Sequence, residues 1–238
     1  RIGGCILADG SIGSETAAVS EPYLNSTSKG VLYQSDEFWQ KFISEASKHH
    51  LQVAVHCIGD RAIRQINNVY KNISATEELR CELIHCELTD DELIREIAVS
   101  KAVPVMQPNF DLLWGGDNGF YAQKLGIKRS QIMNRFATIL KAGITITGGS
   151  DWYVTPLNAM QSINAAINHH NPQERLTLAQ AIDIYTKNAA WLNFEENITG
   201  QIKTGFQADL SIYSLPLETE TSQLRYVIRE GEIEYAER

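Results

Sequence analysis

The chain is poor in cysteine: of its 238 residues only Cys5, Cys57, Cys81 and Cys86 are thiols, and no two form a CxxC pair or a disulfide-framework spacing. This argues against a disulfide-stapled secreted scaffold and indicates free thiols in a reducing compartment, by default the cytoplasm. No apolar run approaches the roughly 20 residues that span a bilayer, and the opening Arg1-Ile2-Gly3-Gly4-Cys5 lacks the apolar core of a signal peptide. With no secretory route, the sequons at Asn25, Asn72 and Asn197 read as chance matches. Basic clusters are missing too. A formal charge of −8 with no Lys/Arg stripe repels a phosphate backbone, so neither nucleic acid nor membrane is an expected partner. Repeats and low-complexity tracts are also absent, and 43% hydrophobic with 21% charged residues is an ordinary globular composition able to build a large core.

What is present is a rhythm. From residue 51 short apolar runs alternate with longer amphipathic segments, as in successive βα units around a parallel sheet. Strands are predicted near residues 4–8, 52–57, 82–86, 102–107 and 144–147, as parallel neighbours in that order with helices outside. Helices are predicted over 36–50, 61–71, 157–169 and 178–192, with another opened by Thr89, which has Glu92 three residues on at a capping-box spacing. The segment Pro108–Lys128, rich in Gly, Asn and aromatics, reads as a long loop on a binding face or lid. Beyond it, 200–205, 208–213 and the hairpin-like 226–235 change to short strands. These expectations divide the chain into a parallel α/β unit over 1–195 and strands of a small β-domain, sandwich-like, over 196–238.

Three polar residues stand at or near the carboxyl ends of apolar strands: His56 in VAVHCIGD, His85 in ELIHCEL, and Asp151 after GITITGGS. In a parallel barrel that end builds the active site. Imidazole and carboxylate together suit Zn²⁺ or a similar divalent ion, and one ligand per strand converges as no single helix could. Each has a plainer reading. A lone strand-end histidine is more often a satisfied polar residue, and Asp151 could cap a helix. Strand parity sends Cys57 and Cys86 away from the two histidines, toward packing positions. The adjacent pairs His49–His50 and His169–His170 read as solvated helix ends, and Asp60 as a helix cap.

The strings ADGSIGSETAA, VAVHCIGDRAI, ELIHCEL, GGSDWYVTPLNAM, YTKNAA and GFQADLSIY run through nearly the whole chain. Together, and in this order, they resemble the third subfamily of the amidohydrolase superfamily, which includes enzymes similar to N-substituted formamide deformylase. The resemblance implies a partial (β/α)8 TIM-type barrel, about strands 4 to 8, with part of a small β-domain at the carboxyl terminus. It also implies a mono- or binuclear divalent-metal centre, zinc by preference, in which His56 of the fifth strand and His85 of the sixth hold one ion, and Asp151 of the eighth, with the family's HxH pair, holds the other. Cys5 falls where many relatives carry a bridging lysine; it is either a thiolate ligand or a small buried thiol. The family's HxH pair occurs nowhere in this sequence. The chain, which starts without Met, is therefore read as a carboxyl-terminal fragment.

The expected activity is metal-dependent hydrolysis of non-peptide C–N bonds in an amide, formamide or cyclic amide, impaired in this chain taken alone. Asp151 would act as general base and then general acid. Asp9, Glu87, Trp114 and Trp152 are candidate substrate contacts, with Phe110 and Phe120 shaping an apolar pocket; Asp9 could instead simply make its turn. Unpaired strand edges point to a homo-oligomer. Two other readings stay open: a non-catalytic remnant or interaction module, and a phosphoesterase on the same barrel, which the scarcity of Arg and Lys around the predicted mouth disfavours.

Overall fold

The computed structural model describes residues 1–217, 219 and 221–237; the side chain of Cys5 lies outside that description. Five strands, β1 (Ile2–Leu7), β2 (Val53–Cys57), β3 (Glu82–His85), β4 (Val103–Met106) and β5 (Thr147–Gly148), pair in parallel and in chain order. Helix α1 (Asp36–Lys48) precedes β2, α2 (Asp60–Lys71) and α3 (Thr76–Leu79) lead to β3, and α4 (Asp91–Ser100) leads to β4. Between β4 and β5 stand α5 (Pro108–Trp114), α6 (Phe120–Leu125), α7 (Ile127–Ser130) and α8 (Phe136–Lys141). After β5 come α9 (Ala159–Ile167), α10 (Leu178–Asp183) and α11 (Lys187–Leu192). A separate antiparallel sheet of β6 (Leu210–Tyr213), β7 (Leu224–Arg229) and β8 (Glu232–Ala236) closes the chain. The fold is the partial barrel with a small β-unit that the sequence predicts.

Alternation along the strands builds the main core. Val53, Val55 and Cys57 of β2, with Cys81 and Leu83 at β3, pack with Ile63, Ile66 and Tyr70 of α2 and with Leu93 and Ile97 of α4. Each fully buried Ile or Leu there contributes about 1.5–3 kcal/mol. Cys57, Cys81 and Cys86 are free and buried, and loss of solvation pushes all three thiols up, so they are inert packing groups. Strand β1 is irregular, shifting register between Gly3 and Ile6. Gly3 has φ of 105°, and a Cβ there would lie 2.1 Å from the Ala54 carbonyl oxygen, so β1 can approach β2 only with glycine at this point.

Several local expectations change. Pro108–Lys128 is mostly helical, because Pro108 at the first helical position starts α5 and apolar residues hold α5 and α6 down. Asp90, not Thr89, caps α4, its carboxylate accepting the Leu93 N–H at 2.7 Å. The stretch 178–192 is split into α10 and α11, and 200–205 forms turns rather than a strand. Asp60 lies inside the first turn of α2, whose cap is Gly59, and its carboxylate accepts the Ser20 N–H at 2.9 Å. No helix of the described residues is long and apolar enough to cross a membrane.

Candidate functional site

Each of the five parallel strands delivers a polar residue at its carboxyl end. Asp9 lies two residues past β1, His56 is the penultimate residue of β2, His85 ends β3, Gln107 follows β4 directly, and Asp151 is three residues past β5. The rings of His56 and His85 meet with centroids 4.6 Å apart, at 70° to each other. Register alone would not bring them together. His85 is the register partner of Cys57 and lies two residues after Leu83, so strict alternation would turn it toward the helices. His85 and Cys86 instead take left-handed backbone, with φ of 73° and 50°. That ends the alternation, swings His85 to the side of His56, and leaves Cys86 in the helix-facing core. Asp151 is left-handed too, with φ of 53°. Such conformations cost non-glycine residues on the order of 1–3 kcal/mol and cluster at functional sites.

Burial and neighbouring charge set the electrostatics. His85 is pushed down to about 3, first by loss of solvation and then by the charge of His56, so it is neutral around pH 7. Its Nδ1 lies 2.8 Å from Gln107 Oε1. The Nδ1 of His56 is buried and has no hydrogen-bond partner; Asp9 Oδ1 lies 3.5 Å from it. Burial raises the Asp151 carboxyl, and the charge of His56 partly offsets the rise. Glu87 is raised to about 8, mainly by burial, although the Tyr121 hydroxyl donates to it at 2.6 Å. Above His85 an aromatic stack forms a wall. Phe110 lies parallel to the imidazole at 5.7 Å, Trp114 tilts on Phe110 at 4.5 Å, and Tyr121 meets Trp114 edge-on at 6.1 Å.

Of the residues expected in the site, His56 and His85 are brought together; Asp151 feels the His56 charge, but the three do not come within the 4.8 Å ligand-atom spacing that, among the described residues, Asp111, His169 and His170 reach. Asp9 is fully buried and occupied by backbone, accepting N–H groups of Ala18, Ile58 and Gly59 at 2.8, 3.0 and 2.8 Å, so it makes its turn and underpins the β2 loop. Glu87 is also buried, beneath Tyr121. Trp114 joins the wall, whereas Trp152 stands 67% exposed after Asp151. The side chain of Cys5 is outside the described residues.

His169 and His170 correct the expectation of solvated helix ends. His169 is fully buried with Nε2 3.2 Å from Asp111 Oδ1; His170 Nδ1 contacts the same oxygen, and the His170 backbone N–H donates to Asp111 Oδ2 at 2.9 Å. One ligand atom from each residue lies within 4.8 Å of the others, a spacing compatible with a metal. The Asn171 N–H, however, donates to His169 Nδ1 at 3.0 Å, which places the proton of neutral His169 on Nε2, toward Asp111. The group is thus a carboxylate clamp fastening α5 to the end of α9. Gln107, Tyr121 and this clamp went unseen in the sequence. Only Gln107, at a strand end like His85, offered a signal.

Comparison with known proteins places this geometry. The amidohydrolase family model matches residues 3–235. The chain is 29% identical over 247 aligned positions to YtcJ of Bacillus subtilis, named as a candidate amidohydrolase, covering 97% of this chain and 46% of that protein. It is 28% identical to LONG AFTER FAR-RED 3 of Arabidopsis thaliana, over 87% of this chain and 37% of the relative. An uncharacterized metal-dependent hydrolase from Pyrococcus furiosus superimposes with a TM-score of 0.76 at 28% identity, over 85% of this chain and 42% of that one. The chain therefore spans less than half the length of these relatives.

Proposed function

Because this chain belongs to the amidohydrolase family, we propose that it supplies the metal-holding part of a divalent-metal-dependent hydrolase, zinc by preference, acting on non-peptide C–N bonds. Amides, formamides, including N-substituted ones, and cyclic amides are the substrate class. The observation that carries this reading is the His56–His85 pair, 4.6 Å apart at the mouth end of the sheet, with Asp151 within electrostatic reach. The donor types fit the ion: two adjacent imidazoles, one held neutral by burial, are suited to zinc, with the Asp151 carboxylate nearby as the acid–base group. On the family pattern, Cys5 is a further donor.

A bound divalent ion lowers the pKa of water and polarises a carbonyl. The rest of the chemistry falls to the chain. Asp151, whose carboxyl is raised from its ordinary value by partial loss of solvation, takes the proton of the attacking water and passes it to the leaving nitrogen. Phe110 and Trp114 wall the site on the His85 side, and Trp152 contacts the substrate beside Asp151. Since this sequence holds no HxH pair, the chain by itself binds one ion and turns over little. Zinc titration calorimetry of the chain, His56→Ala and His85→Ala tests the site. Each variant should lose more than about 100-fold in affinity, since removing one ligand exceeds the 10–100-fold cost of losing a supporting residue. Unchanged affinity in both variants refutes the assignment. Hydrolysis of phosphate esters but not of formamides or acylated amines by the zinc-loaded protein would refute the substrate class.

A further inference from the structure

Gln107 stands where the position of the proton on His85 can be dictated. It is 3% exposed, and its amide is anchored at both ends. The Nε2 group lies 3.2 Å from the Val105 carbonyl oxygen, and only the NH₂ end of an amide can donate there. Reversing the amide would set Oε1 against that carbonyl, two acceptors face to face. Oε1 is therefore the end that meets His85 Nδ1 at 2.8 Å, and an acceptor at that point requires Nδ1 to carry the hydrogen. The Nε2 lone pair of His85 is left free.

The backbone around Gln107 leaves the amide little freedom. Its N–Cα–C unit sits between the end of β4 and Pro108, and its carbonyl accepts the Phe110 N–H at 2.9 Å, so the same turn that holds the amide also lays the Phe110 ring parallel over His85. His85 is thus held on Nδ1 by Gln107, on one face by Phe110 and edge-to-face by His56.

We propose that Gln107 is the positioning residue of this site: its side-chain carbonyl, oriented by Val105, locks His85 in the Nδ1–H tautomer and so presents Nε2 to the ligand. The lock itself rests only on the hydrogen bonds above; its consequence for zinc rests on the reading of His85 as a metal ligand. Hydrogen bonds of this kind fix the tautomer and ring orientation of ligating histidines, and their loss typically costs about 10–100-fold in metal affinity.

The test is ¹⁵N NMR of the six histidines in the metal-free chain, with His85 assigned by the signals missing from His85→Gln. His85 should be protonated on Nδ1. In Gln107→Leu, which removes the acceptor, it should move toward the Nε2–H tautomer, and zinc affinity by calorimetry should fall about 10–100-fold. Gln107→Glu keeps an acceptor at the same reach, with its second oxygen protonated so as to donate to the Val105 carbonyl as the amide does, and should retain the wild-type tautomer. An Nε2-protonated His85 in the wild-type chain overturns the proposal without any variant. So does a Gln107→Leu protein whose tautomer is unchanged. If the tautomer responds as stated while the wild-type chain binds no zinc, the lock stands and the metal reading of the site falls.

Discussion

The two ends of the same five strands use the same kinds of residue to opposite effect. At the amino-terminal end Arg1 Nε lies 2.8 Å from Gln52 Oε1 and 2.7 Å from Glu82 Oε1. Gln52 donates to the carbonyls of Arg80 and Leu192, each at 3.0 Å. Arg80 reaches Glu196 with bonds of 3.0 and 2.6 Å and lies over the rings of Trp191 and Phe194 at 4.5 and 4.2 Å. A cavity of about 340 Å³ opens there, bordered by Arg1, Gln52 and Phe194, yet its Arg1 guanidinium is already paired with Glu82. At the carboxyl-terminal end a buried ring nitrogen of His56 goes unpartnered; left-handed backbone occurs at both ends, in His85 and Asp151 here and in His50 and Arg80 there. Paired polar groups hold the fold together. The end at which a buried nitrogen lacks a partner is the end at which a barrel builds its site.

Three substitutions would break or sharpen this contrast. The largest effect is expected from Arg80→Ala, which strips the partly exposed Glu196 of its partner, two aromatic rings of their cation and the site of the packed arginine stem; unfolding in urea should show a loss of about 3 kcal/mol. Zinc affinity should not change. A loss of zinc binding without a loss of stability would erase the distinction between the ends. Next comes Glu82, a buried carboxyl raised to about 7 because burial outweighs the attraction of Arg1. The folded protein holds this proton more tightly than the unfolded chain, whose carboxyl titrates near 4.5. The associated stability is fully present below about pH 4.5 and is lost as pH rises through about 7, by at most about 3 kcal/mol. Glu82→Gln should flatten that slope when urea midpoints are compared at about pH 5 and about pH 8. A slope equal to that of the wild type would show that Glu82 is not its source. The smallest effect is expected from Asp90→Ala, which removes the cap of α4 at the functional end and should cost about 1 kcal/mol by thermal unfolding. Zinc affinity should again be unchanged, because the Asp90 carboxylate is engaged by the Leu93 N–H and by Arg64; a drop would extend the site to the α4 terminus.

The strands were legible because each is a short apolar run between polar segments, and their order follows from repeating βα units. His56, His85 and Asp151 were legible because they interrupt apolar strand ends with ligand-type side chains. Asp111, His169 and His170 were not: 58 residues separate Asp111 from His169, and nothing local marks a carboxylate that will meet two imidazoles across α5 and α9. The helices within Pro108–Lys128 were hidden for a related reason, since Gly115, Gly116 and Gly119 look like loop while Phe110, Tyr121 and Leu125 are buried by contacts the local sequence does not show.

By itself the sequence determined which residues could do the chemistry and at which end of the sheet they would lie, because hydrophobic periodicity sets strand and helix order and, along a regular strand, the facing side. Only the tertiary structure decided how they meet. Alternation would have sent His85 toward the helices, and two left-handed residues turned it back to His56. A glutamine that composition leaves anonymous became the acceptor that orients the ring. Both outcomes depend on backbone torsions and on partners from other strands, which no window of local sequence contains.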